Sequence, residues 1–303
     1  MTALPTLRQL RFLIALADHG SFSKAAEMSF VTQPTLSAGI KELEAILGAT
    51  LVERGARGAS LTLAGETAVD RARTVLTEAE DLVHATRAAG EPLSGPFRLG
   101  VIPTIAPFLL PRVLPALRVS HPKLELFLRE DLTHRLIEAL KERRLDAALI
   151  ALPYEAAAIE TVSLMEDEFL FAAYKDHRLA QLDPLTPDAL SGESLLLLED
   201  GHCLRDHALA VCAASPPGSD TARSDFAATS LHTLIQMVRS GLGATLLPKL
   251  AVDAGLADQM DLAIKPFSPP VAGRSIGVAW RRGSARTEEA KTLSRDIKIA
   301  LGG

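Results

Sequence analysis

The chain has 303 residues, of which 48% are hydrophobic, and its formal net charge is -5. This length predicts two or three domains with sizeable cores, and the charge gives no overall basic signature. Because no apolar run reaches the length of about 18 residues that a membrane helix needs, and the N-terminal residues lack a signal-peptide pattern, we expect a cytoplasmic protein with no membrane partner.

Residues 7–62 predict a small helical domain that ends in a hairpin. Apolar residues recur at helical spacing in the first helix, and Gly20 is typical of its end. A second helix follows at about 24–28. Thr32 then precedes a third helix, which has Pro34 in its first turn, where proline is well placed. A tight turn between two short helices is typical of a helix-turn-helix, and segments 51–54 and 59–62 resemble a small wing.

Residues 64–89 predict a long helix, of about 39 Å at the standard rise per residue. Its apolar and small residues follow spacings of three and four, which is a heptad pattern and favours close packing of two helices. We expect this helix to form a dimer, with packing on its own domain as the alternative. The positions in the pattern are Val69, Ala72, Leu76, Ala79, Val83 and Thr86.

Strand and helix patterns alternate beyond a Pro- and Gly-containing hinge. This alternation predicts a mostly parallel sheet covered on both faces, with ligands bound at the carboxyl ends of strands. The strand candidates are 97–102, 124–129, 147–152, 169–174, 194–198, 243–247 and 275–280, and the helix candidates are 109–119, 133–143, 230–240 and 286–301.

Cys203 and Cys212 are the only cysteines in the chain. The apolar residues between them follow helical spacing, and nine residues of helix would separate the two by about 13 Å. A disulfide requires Cα atoms within about 7 Å. The helix and the bond therefore exclude each other, and oxidation would have to unwind this segment.

The two cysteines differ in their expected reactivity. Cys203 would lie at a helix start near the basic residues His202, Arg205 and His207, and such surroundings favour the nucleophilic thiolate. Cys212 would lie on the apolar face, where a thiol is inert. This asymmetry suits a peroxidatic cysteine, Cys203, and a resolving one, Cys212. Two unremarkable thiols, or a zinc site made by both cysteines and both histidines without the usual ligand spacing, are the alternatives.

The N-terminal domain resembles the signature of LysR-type transcription regulators, and the second half of the chain is similar to the hydrogen-peroxide-sensing members of that family. The first resemblance is carried by Ser23-Lys24-Ala25-Ala26, Thr32-Gln33-Pro34-Thr35-Leu36-Ser37, Ile40-Lys41-Glu42-Leu43-Glu44 and Leu47-Gly48; the second is carried by Ile102-Pro103-Thr104, Thr133-His134-Arg135-Leu136 and Gly201-His202-Cys203-Leu204-Arg205-Asp206 with the second cysteine.

The resemblance implies a multidomain fold. Its parts would be a winged helix-turn-helix DNA-binding domain (1–63), a dimerising linker helix (64–90), a hinge (91–96) and an α/β regulatory domain (97–303) similar to periplasmic binding proteins. Subdomain I of the last would comprise about 97–167 and 270–303, and subdomain II about 168–269.

The resemblance also implies function. The protein would be a non-enzymatic regulator of oxidative-stress genes, usually a homotetramer, that binds double-stranded promoter DNA and works with RNA polymerase. Hydrogen peroxide would be the signal, the Cys203–Cys212 disulfide would change the tetramer on DNA, and a thioredoxin or glutaredoxin system would reverse the bond. It implies no cofactor and no metal.

DNA-contacting residues are expected in the first turn of the third helix and on the wing. The domain carries six basic and five acidic residues up to position 62, a net charge of +1, so one copy should bind phosphates weakly. Gln33 can read adenine in the major groove. Gly39 departs from the family pattern, which usually has Gln there. The candidate residues are Ser23, Thr32, Gln33, Pro34, Thr35, Ser37, Arg54 and Arg57.

Peroxide-binding residues are expected at strand ends and beside Cys203. The hydroxyls of Thr104 and Thr133 can both donate and accept hydrogen bonds, which the resemblance assigns to peroxide binding; capping of the following helices is the alternative. Asp206 would hold a water or the reacting oxygens. Arg205 would contact peroxide or form a surface ion pair, and His202 would pack structurally or tune Cys203. His207 stands where related sensors often carry Gln.

Three other functions fit parts of this pattern. The same architecture could respond to a small metabolite, with the cysteines incidental. A thiol peroxidase would use similar disulfide chemistry, but the DNA-binding domain argues against an enzyme. An exported solute-binding protein conflicts with the missing signal peptide.

Overall fold

The structure, a computed structural model, describes residues 3–55, 58–88, 92–190, 193, 195–213, 222–270 and 273–302. The chain divides into two compact units, Met1–Ala89 and Gly90–Gly303. Within the described ranges, no helix combines the length and apolar character needed to cross a membrane.

The first unit confirms the predicted winged helix-turn-helix and the long helix that follows. Three helices are followed by a two-stranded antiparallel hairpin, which forms the wing. The elements are α1 (Leu7–His19), α2 (Phe22–Met28), α3 (Gln33–Leu47), β1 (Val52–Gly55), β2 (Gly58–Leu61) and α4 (Leu63–Ala88).

The ends of α1 and α3 lie where local chemistry satisfies the free backbone groups of a helix. The Thr6 hydroxyl accepts from the Gln9 amide and the Gln9 side chain accepts from the Thr6 amide, which is a capping box at the start of α1. Thr32 caps α3 in a similar way. Gly20 and Gly48 end the two helices with φ values of 62° and 66°, a region that favours glycine.

Gly39 allows α3 to approach α1 closely. A Cβ at this position would lie 2.7 Å from Cδ2 of the Phe12 ring, and both residues are buried. Position 39 therefore faces the core of the first unit. The departure from the family pattern at Gly39 therefore has a packing explanation in this chain, since the position lies against α1.

The heptad pattern of α4 divides into two parts. Its first residues, Val69 and Ala72, are buried in the core of the first unit, and Leu76 packs against that core, as the alternative interpretation expected. Exposed apolar side chains of α4 include Val75, Leu82 and Val83, with exposed fractions of 46%, 69% and 46%. Dimerisation through this helix stays a prediction, for which these side chains are available.

The larger sheet of the second unit has five strands in the order β4-β3-β5-β12-β6. Strand β3 lies between β4 and β5 and is parallel to both, but β12 is antiparallel to both β5 and β6. The elements are β3 (Gly95–Val101), α5 (Ala106–Ser120), β4 (Leu124–Glu130), α6 (Thr133–Lys141), β5 (Ala147–Leu152), β6 (Ile159–Asp167), β12 (Arg274–Arg281) and α10 (Thr287–Ala300).

The smaller half contains a three-stranded antiparallel sheet in the order β10-β7-β11 and a parallel pair, β8-β9. The chain leaves the larger sheet after Asp167 and returns to it at Arg274. The elements are β7 (Phe169–Tyr174), β8 (Leu195–Leu198), α7 (Cys203–Ala213), β9 (Ala222–Ala228), α8 (Leu231–Arg239), β10 (Thr245–Pro248), α9 (Lys249–Asp253) and β11 (Leu262–Lys265), with 3₁₀ turns at Arg178–Gln181 and Pro187–Leu190.

These sheets correct the expectation of a mostly parallel sheet. The expected strand and helix candidates occur, but β6, β9, β11 and α9 were missed. Because the chain crosses to the second half through β6 and returns through β12, these strands run antiparallel to their neighbours. The α/β class is confirmed, whereas the boundaries drawn for the two subdomains stay a prediction.

Candidate functional site

Cys203 is a free, partly buried thiol at the first residue of α7. Its Sγ lies 2.9 Å from Oγ1 of Thr133, which is the first residue of α6 and is itself buried. The N-termini of two helices therefore meet at the sulfur. Because the N-terminus of a helix carries partial positive charge, this position is favourable for a negatively charged sulfur.

Arg274, the first residue of β12, supplies a buried cation to the same site. Its Nη1 donates to Oγ1 of Thr104 at 2.6 Å, and its Nη2 donates to the Thr104 carbonyl at 2.9 Å. Burial lowers the pKa of Arg274, while attraction to Asp167 and to the Cys203 thiolate opposes that shift. Arg274 therefore combines hydrogen bonds to Thr104 with an electrostatic attraction to Cys203.

Asp167 holds this guanidinium from the other side. Its Oδ2 accepts from Nε of Arg274 at 3.0 Å, and its Oδ1 accepts from the backbone amide of Leu250 at 2.8 Å. Both charged side chains have no solvent exposure. Burial raises the pKa of Asp167, and the charge of Arg274 opposes the shift. A buried pair of this kind is stable only while both partners remain.

The basic residues adjacent to Cys203 in sequence do not supply the expected positive charge. Burial lowers the pKa of His202, against a weaker opposing effect of Glu199. Burial and the charge of Arg274 lower the pKa of His207, against Asp206. Both imidazoles are therefore mainly neutral at pH 7. This corrects the expectation of a thiol surrounded by local cations, because an imidazolium is costly to bury.

Arg205 and Asp206 point to other roles than the predicted contact with peroxide. Nη1 of Arg205 donates to the Leu198 carbonyl at 3.1 Å, and its Nε lies 2.9 Å from Oδ1 of Asp200. Arg205 therefore fixes the loop that leads into α7, and the ion-pair alternative describes it better. Asp206 is exposed and acts electrostatically on His207.

Arg274 and Asp167 are the residues that sequence reasoning missed. Both are far from Cys203 in the sequence. Asp167 is the last residue of β6, a strand that was not predicted, and Arg274 is the first residue of β12, which was predicted only as a strand of the sheet. The only available signal was a charged residue at the boundary of a buried strand. The structure places the Thr133 hydroxyl against Cys203 and the Thr104 hydroxyl against Arg274, and it adds Arg274 and Asp167 to the candidate site.

Cys212 lies in the last turn of α7, and its side chain falls outside the part that the structure describes. The backbone of α7 separates the two cysteines by about 13 Å at the helical rise, beyond the reach of a disulfide. Formation of that bond must therefore disrupt the helix.

No three His, Cys, Asp or Glu side chains in the described ranges are placed to hold a metal ion. His202 and His207 are present there, whereas the Cys212 side chain, the fourth member of the zinc alternative, lies outside. Within these ranges, the site chemistry is that of a thiol, two hydroxyls and a buried ion pair.

The first turn of α3 exposes the residues expected to contact DNA. Thr32, Gln33, Pro34 and Thr35 are exposed. Oγ of Ser23, on α2, donates to Oε1 of Gln33 at 3.0 Å. This bond leaves the side-chain NH₂ group of Gln33 available as a donor.

The other DNA candidates are less exposed or lie outside the described part. Ser37 is half-buried one turn further along α3. The side chain of Arg54 and all of Arg57 fall outside the described residues. Contact of the wing with DNA therefore stays a prediction.

Two family descriptions match the chain. Residues 7–66 match the bacterial regulatory helix-turn-helix protein, lysR family, and residues 90–298 match the LysR substrate binding domain. The DNA-binding transcriptional dual regulator OxyR of Escherichia coli K12 is 41% identical over 297 residues, which are 98% of this chain and 96% of that protein. The HTH-type transcriptional regulator EstR of Acinetobacter baylyi is 42% identical over 299 residues, 98% of each chain.

Solved structures of similar proteins agree with these matches. A cysteine variant of full-length OxyR from Pseudomonas aeruginosa has a TM-score of 0.75 at 35% identity, and the match covers 98% of each chain. A cysteine-to-serine variant of Corynebacterium glutamicum OxyR with bound H₂O₂ has a TM-score of 0.70 at 34% identity, covering 100% of this chain and 94% of that one. The chain belongs to the LysR family of bacterial regulatory helix-turn-helix proteins, within its OxyR group.

Proposed function

We propose that this protein senses hydrogen peroxide through Cys203 and controls oxidative-stress genes by a reversible Cys203–Cys212 disulfide. The observation that carries the proposal is the contact of Cys203 with the Thr133 hydroxyl beside the buried guanidinium of Arg274. A similar protein solved with H₂O₂ supports the choice of peroxide.

The first step is an attack of the Cys203 thiolate on one peroxide oxygen. The S–O bond forms while the O–O bond breaks, so the sulfur is oxidised to sulfenic acid and the second oxygen leaves as hydroxide. The proton that the Cys203 thiol released to solvent on forming the thiolate neutralises this hydroxide to water. Since Arg274 donates to Oγ1 of Thr104, the Thr104 hydroxyl keeps its own proton to donate to peroxide. Thr133 can donate to the sulfur or accept from the peroxide.

The second step joins the two cysteines. The Cys212 thiol attacks the sulfenic acid of Cys203, a disulfide forms, and water leaves. The α7 helix must open for this step, and α7 packs against β8 and the 3₁₀ turn Pro187–Leu190. Loss of these contacts would change the structure around β8 and Pro187–Leu190, away from Cys203 itself. A thioredoxin or glutaredoxin dithiol would reduce the bond and restore the helix.

Control of transcription requires DNA binding by more than one copy. A single DNA-binding domain with a net charge of +1 has little phosphate affinity of its own. A homodimer through the second half of α4, and a homotetramer built from two such dimers, would increase the affinity for DNA. The protein would act in the cytoplasm, with RNA polymerase as a further partner. The first turn of α3 would read the major groove of the promoter, and Arg54 and Arg57 of the wing would contact its backbone or minor groove.

A brief pulse of peroxide, followed by mass spectrometry of the thiols and DNA footprinting, tests this proposal. We expect one intramolecular disulfide and a changed footprint in the natural chain. Cys203→Ser should lose both, and Cys212→Ser should stop at the sulfenic acid. A Cys203→Ser protein that still changes its footprint at low peroxide contradicts the proposal.

Two controls separate the other functions. A small acid or amino acid that raises the melting temperature and alters the footprint without thiol oxidation would indicate a metabolite-responsive regulator. Steady consumption of peroxide in the presence of a thiol reductant would indicate a peroxidase. Because the chain belongs to a family of regulators, we do not expect the peroxidase result, and the contact of Cys203 with Thr133 favours peroxide over a metabolite as the signal.

A further inference from the structure

We infer that Asp167 is a positioning residue for the reaction of Cys203. It would act through Arg274 by holding the guanidinium between Thr104 and the sulfur. This inference rests on the proposed function, since it concerns the rate at which that thiol reacts with peroxide.

The hydrogen bonds around Arg274 fix its plane and its position. Nε is bonded to Asp167, and both terminal nitrogens are bonded to Thr104. A guanidinium is planar with donors in a fixed arrangement, so these three bonds leave it little freedom to rotate. The bond to Asp167 holds the Nε side of the guanidinium, and the two bonds to Thr104 hold its terminal nitrogens.

Charge makes Asp167 necessary for keeping Arg274 in the site. Neither side chain is exposed, and Asp167 is the first factor that counteracts the burial-driven fall in the pKa of Arg274. Removal of one partner of a buried pair leaves an uncompensated buried charge. Without the carboxylate, the guanidinium would leave its place for a solvated position, and a Cys203 thiolate would lose its attraction to this cation.

The backbone around Asp167 is itself tightly packed. A Cβ on Gly273 would lie 2.1 Å from the carbonyl oxygen of Asp167, so only glycine allows the residue before Arg274 to lie there. The Leu250 amide, at the start of α9, holds the second carboxylate oxygen. Asp167 therefore contacts the strand that carries Arg274 and an element of the smaller half of the second unit.

The test uses the full-length chain with Cys212→Ser, which isolates the first oxidation step. Two rates are measured at several pH values: trapping of the Cys203 sulfenic acid after addition of H₂O₂, and alkylation of Cys203 by iodoacetamide. For Asp167→Asn we expect the peroxide rate to fall at least about tenfold, because electrostatic stabilisation is lost. The pH profile of alkylation should also move to higher pH, because a thiolate needs a nearby cation.

A matched control comes from a second buried ion pair in the same unit. Arg286 and Glu289 form a pair at 2.7 Å with exposed fractions of 2% and 4%, and Arg286 also donates to the Pro96 carbonyl. Glu289→Gln should therefore lower the melting temperature in a similar way but leave both rates of Cys203 unchanged. A purely structural role of Asp167 predicts the same behaviour for both variants.

A double variant tests whether the effect passes through Arg274. Arg274→Gln alone and with Asp167→Asn should react equally slowly, since coupled residues are not additive. The inference is overturned if folded Asp167→Asn reacts at the natural rate, or if the two losses multiply. Should Asp167→Asn not fold, Asp167→Glu provides a second variant, in which the carboxylate is displaced by one methylene. The inference is also overturned if H₂O₂ oxidises Cys203 in Asp167→Glu as fast as in the chain that keeps Asp167.

The same data separate this inference from the proposed function. A natural chain whose Cys203 is alkylated but does not react with H₂O₂ contradicts peroxide sensing. In that case, a shifted alkylation profile in Asp167→Asn would still support the positioning role.

Discussion

The Thr104 hydroxyl accepts a hydrogen bond of 2.6 Å from Nη1 of Arg274, 170 residues later in the chain. The Thr104 carbonyl accepts a second bond from the same guanidinium. Thr104 is therefore held by Arg274 at both its side chain and its backbone, and the direction of its remaining hydroxyl proton is restricted. Thr104 is therefore part of a charged hydrogen-bond network, and it does not cap α5, whose N-cap is Ile105.

Replacement of Thr104 by Val should slow the oxidation of Cys203 by H₂O₂ about 10- to 100-fold, since the donor to peroxide is lost and Nη1 of Arg274 loses its acceptor. Thr104→Ser keeps the hydroxyl and should stay close to the natural rate. Sulfenic-acid trapping in the Cys212→Ser chain measures both. Equal rates for Val and Ser would contradict a role of the hydroxyl.

His207 should make the stability of α7 depend on pH. Its folded-state pKa is lowered, mainly by burial, so below the ordinary histidine value of about 6.5 the unfolded segment binds more protons than the folded one. The stability of α7 should therefore fall as the pH decreases through this range and stay constant above it. Hydrogen exchange of the α7 amides at pH 7.5 and 5.5 measures the effect.

His207→Gln is the control for that pH dependence. Gln keeps hydrogen-bonding groups but does not titrate, so the fall in protection at acid pH should become smaller. His202, whose pKa is also lowered, remains in both proteins and cancels in the comparison. An identical pH dependence in the two proteins would show that the pKa of His207 does not differ between the folded and the opened segment.

Gly39→Ala should destabilise the first unit, because the added Cβ would lie 2.7 Å from the buried Phe12 ring. Overpacking of a core costs about 1–3 kcal/mol, while alanine recovers about 1 kcal/mol of helix propensity. We expect a lower melting temperature of the DNA-binding unit. A second change, Phe12→Leu, should recover part of it, and no recovery would contradict this packing explanation.

Gln33→Ala should weaken specific promoter binding by about 1–3 kcal/mol at fixed salt, as expected for loss of a bidentate base contact. Ser23→Ala should have a smaller effect in the same direction, since Ser23 orients Gln33 through their 3.0 Å bond. Titration of promoter and scrambled DNA distinguishes base reading from general binding. Equal losses on both DNAs would assign Gln33 to the backbone.

The sequence by itself determined the elements that depend on local chemistry. Gly20 and Gly48 end helices because the left-handed φ values at these positions favour glycine. Thr32 caps the start of α3, since its side chain accepts a hydrogen bond from the backbone amide of Thr35. The position of Cys203 at a helix start and of Cys212 on the same helix also followed from periodicity. These features involve residues only a few positions apart.

The charges around the thiol depend on long-range packing and could not be predicted from local sequence. The sequence placed the basic residues His202, Arg205 and His207 beside Cys203, but burial neutralises the two histidines and Asp200 pairs with Arg205. The buried cation that a Cys203 thiolate attracts is Arg274, which stands where β12 returns to the larger sheet antiparallel to β5 and β6. Asp167 lies beside Arg274 because the two residues are opposite each other in the β12–β6 pairing. Strand order and burial depend on many contacts between residues that are far apart in the sequence, so a local sequence pattern does not predict them.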